Sequence, residues 1–332
     1  MATSFWHNFN KPVFTLAPME DVTDTVFREI VLGISDPECL HVLFSEFMST
    51  HGFVHAIGGP RVKHRIQINP SELELLKKTG VKIVAQIWGT DPEKFAQTAS
   101  EICNDGHFDG IDINMGCPVR KIVKQGGCSA LIGQPELAKE IIIATQEAST
   151  IPVSIKTRVG LKKVITEEWI SHLLETEPVL ITIHGRIQTQ QSEGLADWNE
   201  VAKAVKLRDR MGSKTLIHGN GDVMSYEEGL NKAAEFGADG IMIGRGIFQD
   251  PWFFNKTTIE KTPEERLQLL WKHATLFTET WQDEKSFAIL KRFFKIYTSG
   301  FHGAANIRAK LMETNSMDEL RNVLEECDFS VF

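Results

Sequence analysis

Short runs of β-branched and aliphatic residues alternate along the chain with longer stretches whose apolar positions recur at helical spacing. Strands are predicted at Val13–Leu16, His41–Glu46, Val81–Ile87, Gly110–Asn114, Val153–Thr157, Val179–His184, Thr215–His218 and Gly240–Ile243. Most are followed by a helical pattern. One helix starts near Thr23, one is opened by the cap Asp91-Pro92, one starts near Gly127 and one at Thr166. Eight strands with intervening helices over about 240 residues predict an α/β fold, a (β/α)8 TIM barrel. A doubly wound sheet is the alternative, but it usually carries a glycine-rich turn after its first strand. Here that strand runs into Ala17-Pro18-Met19-Glu20, without glycine.

From Pro263 the alternation stops. Glu264–Thr280, Ser286–Ser299, Ala304–Thr314 and Met317–Cys327 read as helices with no strands between them. The expected division is a barrel over 1–255 and a small all-helical C-terminal domain over 256–332, with the boundary near Asn255–Thr262.

Composition changes this picture little: 42% of the 332 residues are hydrophobic and 24% charged, as in ordinary globular proteins. No apolar run is long enough to span a bilayer, so no membrane partner is expected. The first residues lack the charged leader and apolar block of a signal peptide. Five cysteines are scattered without a CxxC pair, which argues against a zinc ribbon or a disulfide framework. Reduced thiols, a cytoplasmic location and no metal are expected.

Charge changes it more. A net charge of −8 argues against a nucleic-acid binder until its distribution is considered. Between Lys285 and Met312 there are six basic residues (Lys285, Lys291, Arg292, Lys295, Arg308 and Lys310) and no acid, with Phe293, Phe294, Tyr297 and Phe301 interleaved. On an acidic chain this stretch is a candidate RNA surface. The alternative is a solvated helix whose aromatics fill a small core.

Polar residues gather at the C-terminal ends of the predicted strands, where barrel enzymes hold their active sites. They are Gln86, Asn114, Cys117, Lys156, Arg158, His184, Arg186, Asn220 and Arg245. Gly219-Asn220-Gly221-Asp222 and Gly244-Arg245-Gly246, after the last two strands, form a phosphate signal that would also fit a sugar-phosphate aldolase or isomerase. Lys156 reads either as a Schiff-base lysine or as a permanent cation beside an electron-rich ring. The segment Asn114-Met115-Gly116-Cys117-Pro118 reads as a shaped loop that aims a thiol able to give a proton or to attack. Cys128 is the weaker candidate thiol, with packing as its expected role.

Taken together, these segments resemble the tRNA-dihydrouridine synthase family, as do Leu16–Asp24, Gln86-Ile87-Trp88-Gly89, Ile155–Gly160, His184-Gly185-Arg186 and, in the tail, Tyr297, Gly300-Phe301 and Gly303-Ala304-Ala305. The resemblance runs from Pro12 to about Leu311. It implies a barrel that binds FMN and a helical domain that holds tRNA. The implied activity is reduction of the C5–C6 double bond of tRNA uridines, with NADPH (or NADH) as reductant. By motif, Pro18, Met19, Gln86, Lys156, His184, Asn220, Gly221, Gly244 and Arg245 would contact FMN. Cys117 would be the proton donor, and Asn114 and Arg158 would hold the uracil edge. Arg186 is a further candidate substrate contact, and Lys291, Arg292 and Lys295 are the candidate tRNA contacts. A monomer is expected. Where the family pattern has Thr and Tyr after His-x-Arg, this chain has Ile187 and Ser192, and Cys128 stands where glycine is common. The nearest alternative is an FMN-dependent oxidoreductase of free bases, of the dihydropyrimidine or dihydroorotate type, which has no use for a basic tail. A Schiff-base aldolase leaves Cys117 and the tail unexplained. A non-catalytic RNA-binding protein leaves the strand-end set unexplained.

Overall fold

Parallel strands need a crossover to return to the same end, and every crossover in this chain carries at least one helical segment. A computed structural model describes residues 4–257 and 260–327. The strands are β1 (Val13–Leu16), β2 (Val42–Ser49), β3 (Lys82–Trp88), β4 (Gly110–Met115), β5 (Val153–Arg158), β6 (Leu180–His184), β7 (Leu216–Asn220) and β8 (Gly240–Ile243). They close in sequence order into a parallel barrel, with β1 paired to β8 from Val13↔Gly240 to Leu16↔Ile243.

β2, β3, β4, β5 and β7 run one to three residues further than their apolar runs predict. Arg158 and Asn220 are polar, so hydrophobicity does not reveal them, whereas Phe47, Met48, Trp88 and Met115 continue the apolar runs. The two polar residues are in the ladder all the same: Arg158 pairs with His184, and His184 with Asn220. Register slips once in β2, between Phe44 and Phe47, where Ser45 Oγ accepts the Gln86 N–H and donates to the Glu46 carbonyl.

Two predicted helices are corrected. The one placed near Gly127 is divided into a short helix Arg120–Lys124, a 3-10 turn Cys128–Gly133 and the helix Pro135–Ala148. Gly126 and Gly127 interrupt it, Gly126 at φ +85°. The single helix predicted over Ser286–Ser299 is a 3-10 turn, Phe287–Arg292, and one helical turn, Phe294–Tyr297.

Trp6, on the turn Phe5–Asn8, is buried in the barrel core against Phe44 and His218. The larger core lies between strands and helices and continues into the C-terminal helices. There the helix Pro263–Trp281, opened by a Thr262/Glu265 capping box, packs on the helix Thr25–Ile34. Phe293, Phe294 and Tyr297 are buried in this core, so they are unavailable for stacking on RNA bases. Lys285 also leaves the candidate RNA surface. Its side chain is only 8% exposed and bridges Asp24 at 2.9 Å and Glu46 at 3.4 Å.

The predicted boundary near Asn255–Thr262 includes Thr258 and Ile259, which lie outside the described residues, as do 328–332 of the predicted helical domain. Among the described residues, no helix is long and apolar enough to cross a membrane.

Candidate active site

The loop after β4 is built around one amide. Asn114 Oδ1 accepts the backbone N–H groups of Gly116 and Cys117, both at 3.0 Å, and so bends the chain to set Cys117 at the barrel mouth. Asn114 Nδ2 donates to Gln86 Oε1 at 2.9 Å, and Gln86 Nε2 donates to Asp112 Oδ2 at 2.7 Å. Ser154 Oγ completes the chain with a 2.6 Å bond to Asp112 Oδ1. The loop is held from outside as well: Arg158 Nε donates to the Gly116 carbonyl, and Ser129 Oγ to the Cys117 carbonyl. Asn114 and Gln86 are buried with both ends of their amides bonded, so they hold the thiol loop from beneath.

Cys117 is half-buried. The neighbouring Cys128 thiol, opposed by burial, brings its thiol down to about 7. Burial and the Cys117 sulfur push Cys128 far the other way.

Beside this loop, at the C-terminal ends of β1 and β5 to β8, lies a cavity of about 330 Å3. Pro18, Met19, Lys156, His184, Asn220, Gly221, Gly244 and Arg245 all line it, which is every residue expected at FMN except Gln86. Arg158, Arg186 and Pro118 line it too, whereas Lys291, Arg292 and Lys295 belong to the C-terminal segments. A larger cavity, about 510 Å3, lies between the Phe53–Ile68 segment and the helix Pro92–Asp105 and contains none of the expected site residues.

The cavity is cationic. Lys156, Arg158, Arg186 and Arg245 face a single carboxylate, Asp222. Lys156 Nζ donates to Asn220 Oδ1 at 3.1 Å, and Asn220 Nδ2 is fixed on the Met242 carbonyl. Burial, and after it Arg158, lower Lys156 to about 8, so it remains mostly charged at neutral pH. Burial and the surrounding cations push His184 far below the usual histidine range. Its Nε2 accepts from Arg186 at 2.9 Å, which leaves the ring proton on Nδ1 of a neutral imidazole.

Asp222 was not singled out by the sequence, although the Gly-Asn-Gly-Asp segment contains it. It anchors two arginines: Arg186 Nη2 reaches both of its oxygens, at 2.6 and 2.7 Å, and Arg245 reaches it at 3.2 Å. Gly221, at φ +121°, lets the chain turn past His184; a Cβ there would lie 2.6 Å from Ala196 Cβ. Ser192 lines the cavity at the position where the family pattern has tyrosine, and Ile187 contributes its carbonyl to Arg158.

The tail cations differ from one another. Lys291 donates to Asn315 Oδ1 at 3.2 Å, and Arg292 is 3.3 Å from Asp21 in the loop after β1. Lys295 is exposed.

Fold and site together define a β/α-barrel enzyme with a cationic mouth and a thiol beside it. The family model for dihydrouridine synthase matches residues 15–331. A probable tRNA-dihydrouridine synthase of Staphylococcus aureus (strain COL) is 41% identical over 98% of this chain and 96% of its own length. Probable tRNA-dihydrouridine synthase 2 of Bacillus subtilis (strain 168) is 40% identical over 98% and 97%. Among solved structures, morphinone reductase superposes with a TM-score of 0.52 at 12% identity over 73% of this chain and 84% of that one, a likeness of fold alone. The chain belongs to the dihydrouridine synthase family and is an oxidoreductase.

Proposed function

We propose that this protein reduces the C5–C6 double bond of uridine in tRNA, with FMN as cofactor, NADPH or NADH as reductant and Cys117 as proton donor. The observation that carries the reading is the cationic cavity opening beside the Cys117 loop. Four cations against one carboxylate suit a ligand with a terminal phosphate and an electron-rich ring. The partly exposed Arg245 and the backbone of Gly244–Gly246 supply one end of that site, and Lys156 and His184 supply the other. The residues therefore fit the cofactor.

When bound, a flavin supplies hydride transfer, accepting from the nicotinamide and giving to C6 of the uracil. The remaining work falls to side chains. Lys156, fixed by Asn220, would supply a cation to offset negative charge on the bound ring. A neutral His184 donates from Nδ1 without adding a competing acid. Cys117 Sγ–H gives its proton to C5, so that hydride and proton together saturate the bond. Arg158 stiffens the loop that carries the thiol. A charged Lys156 already bonded to Asn220 favours the cation role over a Schiff-base nucleophile. The substrate is tRNA on the strength of the relatives' names, and the uridine must be unstacked to reach the mouth.

The purified protein, supplied with FMN, NADPH and unmodified tRNA transcript, is expected to form dihydrouridine, read by nucleoside mass spectrometry. A protein that neither releases nor takes up flavin would overturn the cofactor. Equal turnover of free uridine or uracil would favour the free-base oxidoreductase.

A further inference from the structure

One buried nucleophile has no part in the chemistry above. Cys128 is fully buried, in a small cluster with Phe47 and Ile122 against which Trp88 and Cys117 pack. Its backbone sits at φ +51°, a left-handed conformation that residues with a Cβ disfavour and that glycine adopts freely. The chain thus holds a thiol where a hydrogen would ease the backbone. The next residue binds the catalytic loop twice: Ser129 N–H and Oγ–H both donate to the Cys117 carbonyl, at 3.3 and 2.8 Å. These bonds fix the two cysteines relative to each other, and the Cys117 side chain packs against the buried cluster that contains Cys128.

We propose that Cys128 is a positioning residue for proton donation: its S–H donates to Cys117 Sγ and holds the thiolate that Cys117 becomes. The role rests on Cys117 being the proton donor. In the step, the Cys117 S–H bond breaks, C5–H forms, and the electron pair stays on Cys117 Sγ. Cys128 keeps its own proton, because burial makes it the far weaker acid of the two. Cys117 is half-exposed and recovers its proton from water. Three other charged groups face the pair. Glu20, after β1, raises Cys117, Arg158 of β5 lowers it, and Lys156 of β5 interacts with it. All three are unchanged when only Cys128 is altered.

A hydrogen bond to a charged partner outweighs one to a neutral partner. It therefore makes Cys117 a stronger acid and speeds protonation while the thiol is still protonated. The test uses the FMN-loaded enzyme with Cys128→Ala, Cys128→Gly and Cys128→Ser; the glycine variant suits the positive φ if alanine folds poorly. Alkylation of Cys117 by iodoacetamide, mapped by peptide mass spectrometry, reports the thiolate against pH without requiring turnover. The wild-type midpoint is expected near 7. In the alanine and glycine variants it moves up by about one pH unit, toward the ordinary thiol range. Serine, which keeps a donor, gives an intermediate midpoint. Reoxidation of the reduced enzyme by tRNA slows about tenfold at neutral pH in the alanine and glycine variants, and its alkaline limb moves up with the midpoint. A midpoint that stays near 7 in both of those variants overturns the proposal. If the midpoint moves but Cys117→Ala still turns over, Cys117 is not the proton donor and the catalytic role of the pair falls with it.

Discussion

At the residue scale, the polar chain from Ser154 through Asp112, Gln86 and Asn114 to the Cys117 backbone explains how buried residues beneath the loop aim a thiol. Cys117→Ala leaves that chain intact. It is expected to keep flavin and tRNA binding while turnover falls about 10²–10⁴-fold, the usual worth of a positioned acid, as single-turnover kinetics would show. Asp112 makes a separate prediction. Burial pushes its carboxyl from 3.8 up to about 6, against the bonds from Ser154 and Gln86. The folded value lies above the unfolded one, so the favourable contribution is complete below about pH 4 and is lost as pH rises through about 6. Asp112→Asn removes this titration. Between pH 4 and pH 8 its stability should improve relative to wild type by at most about 3 kcal/mol, read from urea melts at the two pH values.

At the element scale, the helix Thr25–Ile34 and the C-terminal helices meet through one polar joint in an apolar contact. Asp24 caps the first helix through Phe27 N–H and also accepts from Trp281 Nε1 and Lys285 Nζ. Lys285 lies 3.8 Å from the centre of the Trp281 ring and reaches Glu46, whose carboxylate also receives Arg65. Removing one member of such a buried set strands the others. Lys285→Gln is expected to cost about 3–5 kcal/mol in thermal or denaturant melts. A loss below about 1 kcal/mol would show the joint to be dispensable. The acid-free run in the tail was legible in the sequence, but the burial of its first lysine was not. Asp24 and Glu46 lie more than two hundred residues away in the chain.

At the scale of the whole molecule, a net charge of −8 has to coexist with a polyanionic substrate. Lys291, Arg292 and Lys295 remain candidates for that contact, although Arg292 already faces Asp21. Replacing all three with Gln should weaken tRNA binding and flatten its salt dependence by up to about one unit of slope per lost contact. Flavin content and reduction by NADPH should not change, because the proposed flavin cavity lies in the barrel. An unaltered salt slope between 50 and 200 mM (about the range over which such contacts show) would move the RNA surface elsewhere, first to the exposed Arg120, Lys121 and Lys124.

The sequence alone determined the barrel, because eight apolar runs at regular spacing admit few other closures, and it brought most of the cavity residues to the strand ends. Local pattern was enough for this, since the period of burial is written into neighbouring residues. Only the tertiary structure separated residues that line the cavity from those beneath it, as with Gln86 and Asn114. It alone showed Asp222 as the anchor of two arginines and Cys128 as the partner of Cys117. These are contacts between segments distant along the chain, set by barrel closure and loop geometry, and no local periodicity records them.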